Sequence, residues 1–375
     1  MDAVMALTRR GFPCRAEYYN TLMYEGTACR DPPIHLSAQR EPPMAETATA
    51  PLSPPHEAGT AHWLMHVPIP LFAMIMGLTG LGLAWRKAAS VLGVPGQVGE
   101  GLLGLAATLF VGLALLYATK ALRHFPEVRA EFNNPIRVNF FPTVSISLLL
   151  LSIAALPYSE SLALGVWGLG ALLHLMATVY LIGRWITRAH EITMINPAWF
   201  IPVVGNIIVP IAGTKLGFTE ISWFFFAIGL VFWIVLFTIV FYRIVFHNPL
   251  ATRFLPTLFI LIAPPGVGTV SYLALTGGQI DVFTRVLLYS GLFITLLNFS
   301  MVRQFLKLPF FVSWWAYTFP MAAITIATLE YQHHLNHPGV AVLAWGLLGV
   351  TTLIIGSVFV RTSVELMRGH LFAPE

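Results

Sequence analysis

The sequence predicts an all-α integral membrane protein whose ten transmembrane helices pair as five helical hairpins. Three observations predict it. Of 375 residues, 57% are apolar and 10% charged, with a mean hydropathy of +0.74, whereas a soluble domain carries about 25% charge. Ten apolar stretches reach the roughly 20 helical residues that a bilayer core of about 30 Å requires. Runs such as 221–240 lack the period-two alternation of barrel strands, which cross in about 10 residues. Together these exclude an ordinary soluble enzyme, a disordered chain and a fibrous protein.

Residues 1–66 are polar and proline-rich, hold both cysteines (Cys14 and Cys29) and contain no long apolar run. They read as a disordered cytoplasmic tail, with Met44 as a candidate natural start and residues 1–43 as an upstream over-read. The tail lacks the apolar core of a secretory signal, so the first membrane helix is expected to direct insertion. That helix, 68–85, carries Pro68, Pro70 and Gly77. The second, 99–119, is smooth. Its Gly99-Glu100-Gly101-Leu102-Leu103-Gly104 matches a dinucleotide fingerprint by letter only, because no strand precedes it. The third, 139–157, carries Pro142, Ser145 and Ser147. The fourth, 161–183, is continuous, and its His174 reads as a packing residue because no acid accompanies it.

The fifth stretch, 198–217, is interrupted by Pro202, Gly205, Asn206 and Pro210, and the sixth, 220–246, is not interrupted. The seventh, 254–276, carries Pro256, Pro264, Pro265 and Gly266. The eighth, 282–302, is continuous; Asn298-Phe299-Ser300 lies inside it and is no glycosylation site. The ninth, 313–331, carries Pro320 and Thr325, and is followed by His333, His334 and His337, which read as a solvated joint and not as a metal site. The tenth, 339–360, completes a membrane domain of 67–361, and 362–375 form a short cytoplasmic tail.

Odd-numbered stretches are thus broken and even-numbered ones smooth. Proline removes a backbone hydrogen bond, and in hydrocarbon the freed carbonyl must find a partner or water. The broken helices are therefore expected inside and the smooth ones against lipid. Ile69-Pro70-Leu71-Phe72, Phe141-Pro142-Thr143-Val144, Ile201-Pro202-Val203-Val204, Leu255-Pro256-Thr257-Leu258 and Phe319-Pro320-Met321-Ala322 recur 72, 60, 54 and 64 residues apart. That recurrence reads as five hairpins repeated around one axis. Phe72, Gly77, Pro142, Ser145, Gly205, Asn206, Pro210, Pro264, Pro265 and Pro320 are the expected pore-lining or kink residues.

Twelve basic residues fall in the joints after even helices and at the C-terminus, and four in the joints after odd ones. The positive-inside rule then places both termini in the cytoplasm of a multi-pass protein of the plasma membrane, here a bacterial inner membrane. Acids of the membrane body fall at helix ends or in joints. A pump would place a carboxylate mid-membrane. An uncharged path lined by kinked backbone and phenyl rings binds weakly and releases fast, which suits a channel. Basic joints and helix N-termini favour anions. No catalytic constellation, cofactor, metal or nucleic-acid partner is indicated, and the protein does not read as an enzyme.

Arg303, Trp314 to Met321 and Ile326-Ala327-Thr328, with Asn134 to Phe141, Asn196-Pro197, Val203 to Asn206 and Ala263-Pro264, carry a family signature. Over residues 68–360 the chain resembles the tellurite-resistance and dicarboxylate transporter family, which includes bacterial TehA, yeast malate permeases and the slow anion channel of plant guard cells. The resemblance implies a quasi-fivefold ring around a central pore lined by odd helices, and a homotrimer with one pore per subunit. It also implies a phenylalanine gate on the ninth helix, whose counterpart is Phe319. Family members pass chloride and nitrate, dicarboxylates, sulfite or tellurite-linked species. The implied function is a gated channel for small inorganic anions. The alternative is a proton-coupled carrier for malate and related C4-dicarboxylates, or for a tellurite-related oxyanion. A membrane sensor whose tail recruits a partner is a third, non-transport reading. The plant channel's phosphorylation control does not carry over, because this tail is short and unlike the plant extensions.

Overall fold

A computed structural model describes residues 62–372. The readings made for residues 1–61, the tail and its alternative start, lie outside the described residues. Among the described residues all regular structure is helical. Ten segments carry the architecture: α1 (Ile69–Leu92), α2 (Gly96–Arg123), α3 (Arg137–Ala155), α4 (Glu160–Thr187), α5 (Pro197–Gly213), α6 (Thr219–Phe246), α7 (Thr252–Leu275), α8 (Val282–Ser300), α9 (Thr318–Leu335) and α10 (Pro338–Met367). A short helix, Phe125–Asn133, precedes α3. Eight of the ten are long and apolar enough to cross a membrane. α5 falls short because its four pieces span only 17 residues, and α9 because its last turns carry Glu330, Gln332, His333 and His334. α10 runs on past residue 361 to Met367.

Each odd helix opens in a 3₁₀ turn: Ile69–Leu71, Arg137–Phe140, Pro197–Phe200, Thr252–Ile262 and Val312–Tyr317. Prolines in or just after these turns remove the i→i−4 donors that would extend the α-helix backwards, and the tighter i→i+3 pattern takes over. Even helices run unbroken for 19 to 30 residues. Burial divides the same way. The apolar windows of α1, α3 and α7 are 72%, 67% and 72% buried, whereas those of the five even helices are between 17% and 39% buried. α1 packs on α3 and α9, α7 packs on α5 and α9, and α3 packs on α5. Even helices lie outside these, each against its own odd partner, and expose a belt that includes Leu115, Leu172, Val231, Phe293 and Leu353.

α5 shows how carbonyls freed by kinks are satisfied without water. Thr178 on α4 donates to the Pro202 carbonyl at 2.6 Å and accepts from Asn206 Nδ2 at 2.9 Å; Asn206 also donates to the Val203 carbonyl at 2.7 Å. Trp167 Nε1 donates to the Val209 carbonyl at 3.0 Å, and Ser271 on α7 donates to that of Ile207. Close approach elsewhere rests on missing side chains. A Cβ on Gly77 would overlap Thr318 of α9's opening turn, and one on Gly80 would stand 2.8 Å from Ala322, the small-residue contact that membrane helices use in place of a hydrophobic drive.

Four hairpins are tied at their base. Lys120, near the end of α2, donates to the Val67 carbonyl just before α1 at 2.7 Å. Arg184 near the end of α4 donates to the carbonyls of Phe132 and Asn133, before α3, at 2.9 and 2.8 Å. Arg243 near the end of α6 donates to Thr193, before α5, at 3.4 Å and to Asn248 at 2.8 Å. Trp315 Nε1, before α9, donates to Thr362 near the end of α10 at 3.0 Å. All three cations are buried. Lys120 is also paired with buried Glu131 at 3.1 Å, and Glu131 accepts from Tyr117 at 2.7 Å.

Candidate functional site

Three cavities lie inside the odd helices. The middle one, about 70 Å³, is walled by all five odd helices and the turns that open them: Met76 from α1, Thr143 and Ile146 from α3, Val204, Gly205 and Ile208 from α5, Ile260, Pro264 and Val267 from α7, Phe319 and Pro320 from α9. No even helix and no charged side chain contributes. A larger cavity, about 310 Å³, lies beyond it and shares Ile208, Val267 and Phe319 with it. These three side chains form the partition between the two. A third cavity, about 200 Å³, adjoins the opposite end of the middle one and shares Pro70, Phe140, Val312 and Ser313 with it.

The two ends differ from the middle in charge. The larger cavity is lined by Arg86 and Lys87 from the end of α1, Lys215 after α5, and Glu330 near the end of α9. Arg86 is engaged by Glu100 through two contacts of 2.7 and 2.6 Å and donates to the Ala154 carbonyl at 2.9 Å; Lys87 pairs with Glu330 at 2.6 Å. The smaller end cavity is lined by Arg137, Arg253 and Asn134. Positive side chains thus line either end, with apolar walls between. Two threonines on the wall of the middle cavity are turned into their own helices: Thr143 donates to the Phe140 carbonyl and Thr257 to that of Phe254, at 2.5 and 2.6 Å.

Of the residues expected from the sequence, Phe319, Gly205, Pro264 and Pro320 stand on the wall of the middle cavity. Phe319 is 8% exposed, and its ring lies beside Gly80 of α1. The others lie on helix contacts. Phe72 packs edge-on to Phe110 and Tyr117 of α2. Gly77 faces Thr318, and Pro265 faces Gly291 of α8. Ser145 donates to the Pro142 carbonyl at 2.8 Å and stands 2.9 Å from His174 Nδ1. The Pro210 carbonyl accepts from Thr214 at 2.9 Å, and Asn206 holds the kink described above. Behind Gly205 lies the His174 imidazole, fully buried, close enough that a Cβ at 205 would overlap it. Sequence reasoning did not single out Ile208, Val267, Ile146 or Ile260, because a branched aliphatic residue in an apolar helix carries no mark of the cavity it faces.

The three cavities fall within the part of the chain that known proteins share. The family described as voltage-dependent anion channel matches residues 66–363. The S-type anion channel SLAH3 of Arabidopsis thaliana is 28% identical over 311 residues, which cover 81% of this chain and 49% of that protein. The guard cell S-type anion channel SLAC1 of the same plant is 26% identical over 313 residues, 80% of this chain and 56% of its own length. The tellurite resistance protein TehA homolog of Haemophilus influenzae is 25% identical over 311 residues, 82% of this chain and 93% of the relative. The chain spans about half the length of the plant channels. With every α-helix that walls the cavities inside the matched span, the chain belongs to the voltage-dependent anion channel family.

Proposed function

We propose that the chain is a gated channel for small anions, with the three cavities as one pore and Phe319 as its gate. The observation that carries this is the partition of Ile208, Val267 and Phe319 between an uncharged middle cavity and a wide, basic end cavity. In this reading the ten helices are ten membrane spans, and the contacts of α1, α3, α5, α7 and α9 close a quasi-fivefold ring. Both termini are cytoplasmic, so the Arg253 end opens to the cytoplasm and the Lys215 end away from it. The apolar belt of the even helices meets lipid and, in a homotrimer, its neighbours. The Phe319 ring interrupts water and anions until it turns aside into the large cavity. No side chain in the middle holds an ion strongly, so passage is passive.

Phe319→Ala is expected to raise chloride conductance in planar bilayers at least about tenfold, the scale of removing a hydrophobic barrier of roughly 1.4 kcal/mol. Unchanged current from a well-folded variant overturns the gate. A proton-coupled carrier for C4-dicarboxylates or a tellurite-related oxyanion is the second reading, favoured by His174, whose Nε2 has no partner and lies behind Gly205. Malate uptake into proteoliposomes that requires a pH gradient, without unitary current steps, selects it.

A further inference from the structure

The wide end cavity carries more than the gate's far side. Four ionic side chains line it, and their engagement is unequal. The Arg86 guanidinium is held by both oxygens of Glu100, and Lys87 is neutralised by Glu330 at 2.6 Å, with a quarter or less of either of the latter two side chains exposed. Lys215 is exposed and, among the described residues, has no hydrogen-bond or ionic partner. The cavity's net charge is therefore a single positive charge, and Lys215 supplies it. Glu330 stands on α9 eleven residues, three helical turns, beyond Phe319, on the same wall as the partition. A concave, low-dielectric wall concentrates the field of one uncompensated charge on the space it encloses.

We propose that this cavity is an anion-recruiting site, with Lys215 as the cation that collects the anion above the partition and Glu330 as the counter-charge that limits recruitment by occupying Lys87. The ligand class is a small, hydrated inorganic anion held in passing by charge, without dehydration. The proposal rests on the channel reading above and adds to it which residues set the rate of anion supply. It makes the charge of the cavity a signed quantity: removing Lys215 takes it to neutral, and removing Glu330 releases Lys87 and doubles it.

The test uses the full chain carrying Phe319→Ala, reconstituted in planar bilayers, with chloride as the probe. Unitary conductance is read at about 10 mM salt, where the screening length is about 30 Å, and at about 1 M, where it is about 3 Å. Lys215→Gln is expected to lower the low-salt conductance roughly threefold, Glu330→Gln to raise it by a similar factor, and Lys215→Arg to preserve it, a modest share of the tenfold or greater effects that focused charge produces. At high salt all four proteins converge. Variants that shift conductance equally at both salts, or a Lys215→Gln channel that matches its parent at low salt, overturn the recruiting site while leaving the channel standing. Absence of any chloride current from wild type and Phe319→Ala alike overturns the channel reading and the site with it. Co-elution of each variant with the parent in size-exclusion chromatography separates these outcomes from misfolding, and Lys215→Arg supplies a fold-conserving second variant.

Discussion

The inner and outer helices of this protein solve the same bilayer problem in opposite ways. The even helices close every interior backbone hydrogen bond within themselves and need nothing from their surroundings. They are long, continuous and mostly exposed. The odd helices give up that self-sufficiency at each 3₁₀ turn and proline, and recover it from neighbours: Thr178, Trp167 and Ser271 all donate to carbonyls of α5. Irregular backbone at membrane depth is tolerated only where protein or a cavity surrounds it. A wall that must curve round a narrow cavity is therefore made of the helices that are best covered, and its regularity is supplied from outside.

The strongest challenge to this contrast is at the seams between the two classes. Lys120→Met leaves Glu131 as an unpaired buried acid and unties the first hairpin, and is expected to cost about 3–5 kcal/mol, whereas the Lys120→Met, Glu131→Gln double variant costs less than the single one. Thermal unfolding in detergent reads both, and equal losses break the account of the pair. Next comes packing. Gly77→Leu forces a side chain into Thr318 between α1 and α9, at about 1–3 kcal/mol, while Gly346→Leu on α10, with nothing near its Cβ, stays within about 0.5 kcal/mol.

A comparably sized and more pointed contrast uses threonine. Thr178→Val strips a donor from the Pro202 carbonyl and an acceptor from Asn206, for about 1–3 kcal/mol. Thr238→Val on α6 loses only an exposed bond to its own helix and is expected to be neutral. Similar effects at the two sites would erase the distinction between inner and outer helices. The smallest effect is at Asp281, which caps α8. The Thr284 backbone N–H, and after it the Tyr272 hydroxyl, hold its carboxyl below the ordinary carboxylate range. A group with a lowered folded pKa contributes stability above its unfolded pKa of about 4 and loses it as pH falls through the folded value. Asp281→Ala should lower the melting temperature slightly at pH 7 and match wild type in strong acid.

Which helices are inner was legible in the sequence, because proline is visible as a letter and its consequence in hydrocarbon is fixed. Which face of each inner helix meets the cavities was not. A face is computed from a constant turn of about 100° per residue, and each 3₁₀ piece advances about 120°, so four pieces within α5 lose the phase. Phe319, Gly205, Pro264 and Pro320 could be named because kinks expose their neighbours, whereas Ile208 and Val267, on the same partition as Phe319, could not. The basic residues show a different limit. Lys120, Arg184 and Arg243 entered the count of charges that orient the chain, yet each is buried against carbonyl oxygens. Their type is legible, and the carbonyls each reaches before its partner helix, 50 to 53 residues back along the chain, are not.

Those long returns bear on how the protein is made. In the first three hairpins the basic residue near the end of the second helix reaches back to the residues just before the first. The link joins the two ends of one unit and asks nothing of later sequence. A chain synthesised from its N-terminus can therefore clasp each of these three pairs as soon as the second member emerges, before the next pair exists. Assembly then becomes the side-by-side docking of closed units, and the cavity at the centre comes into being only when the last of them, the one that carries Phe319, arrives to complete the wall.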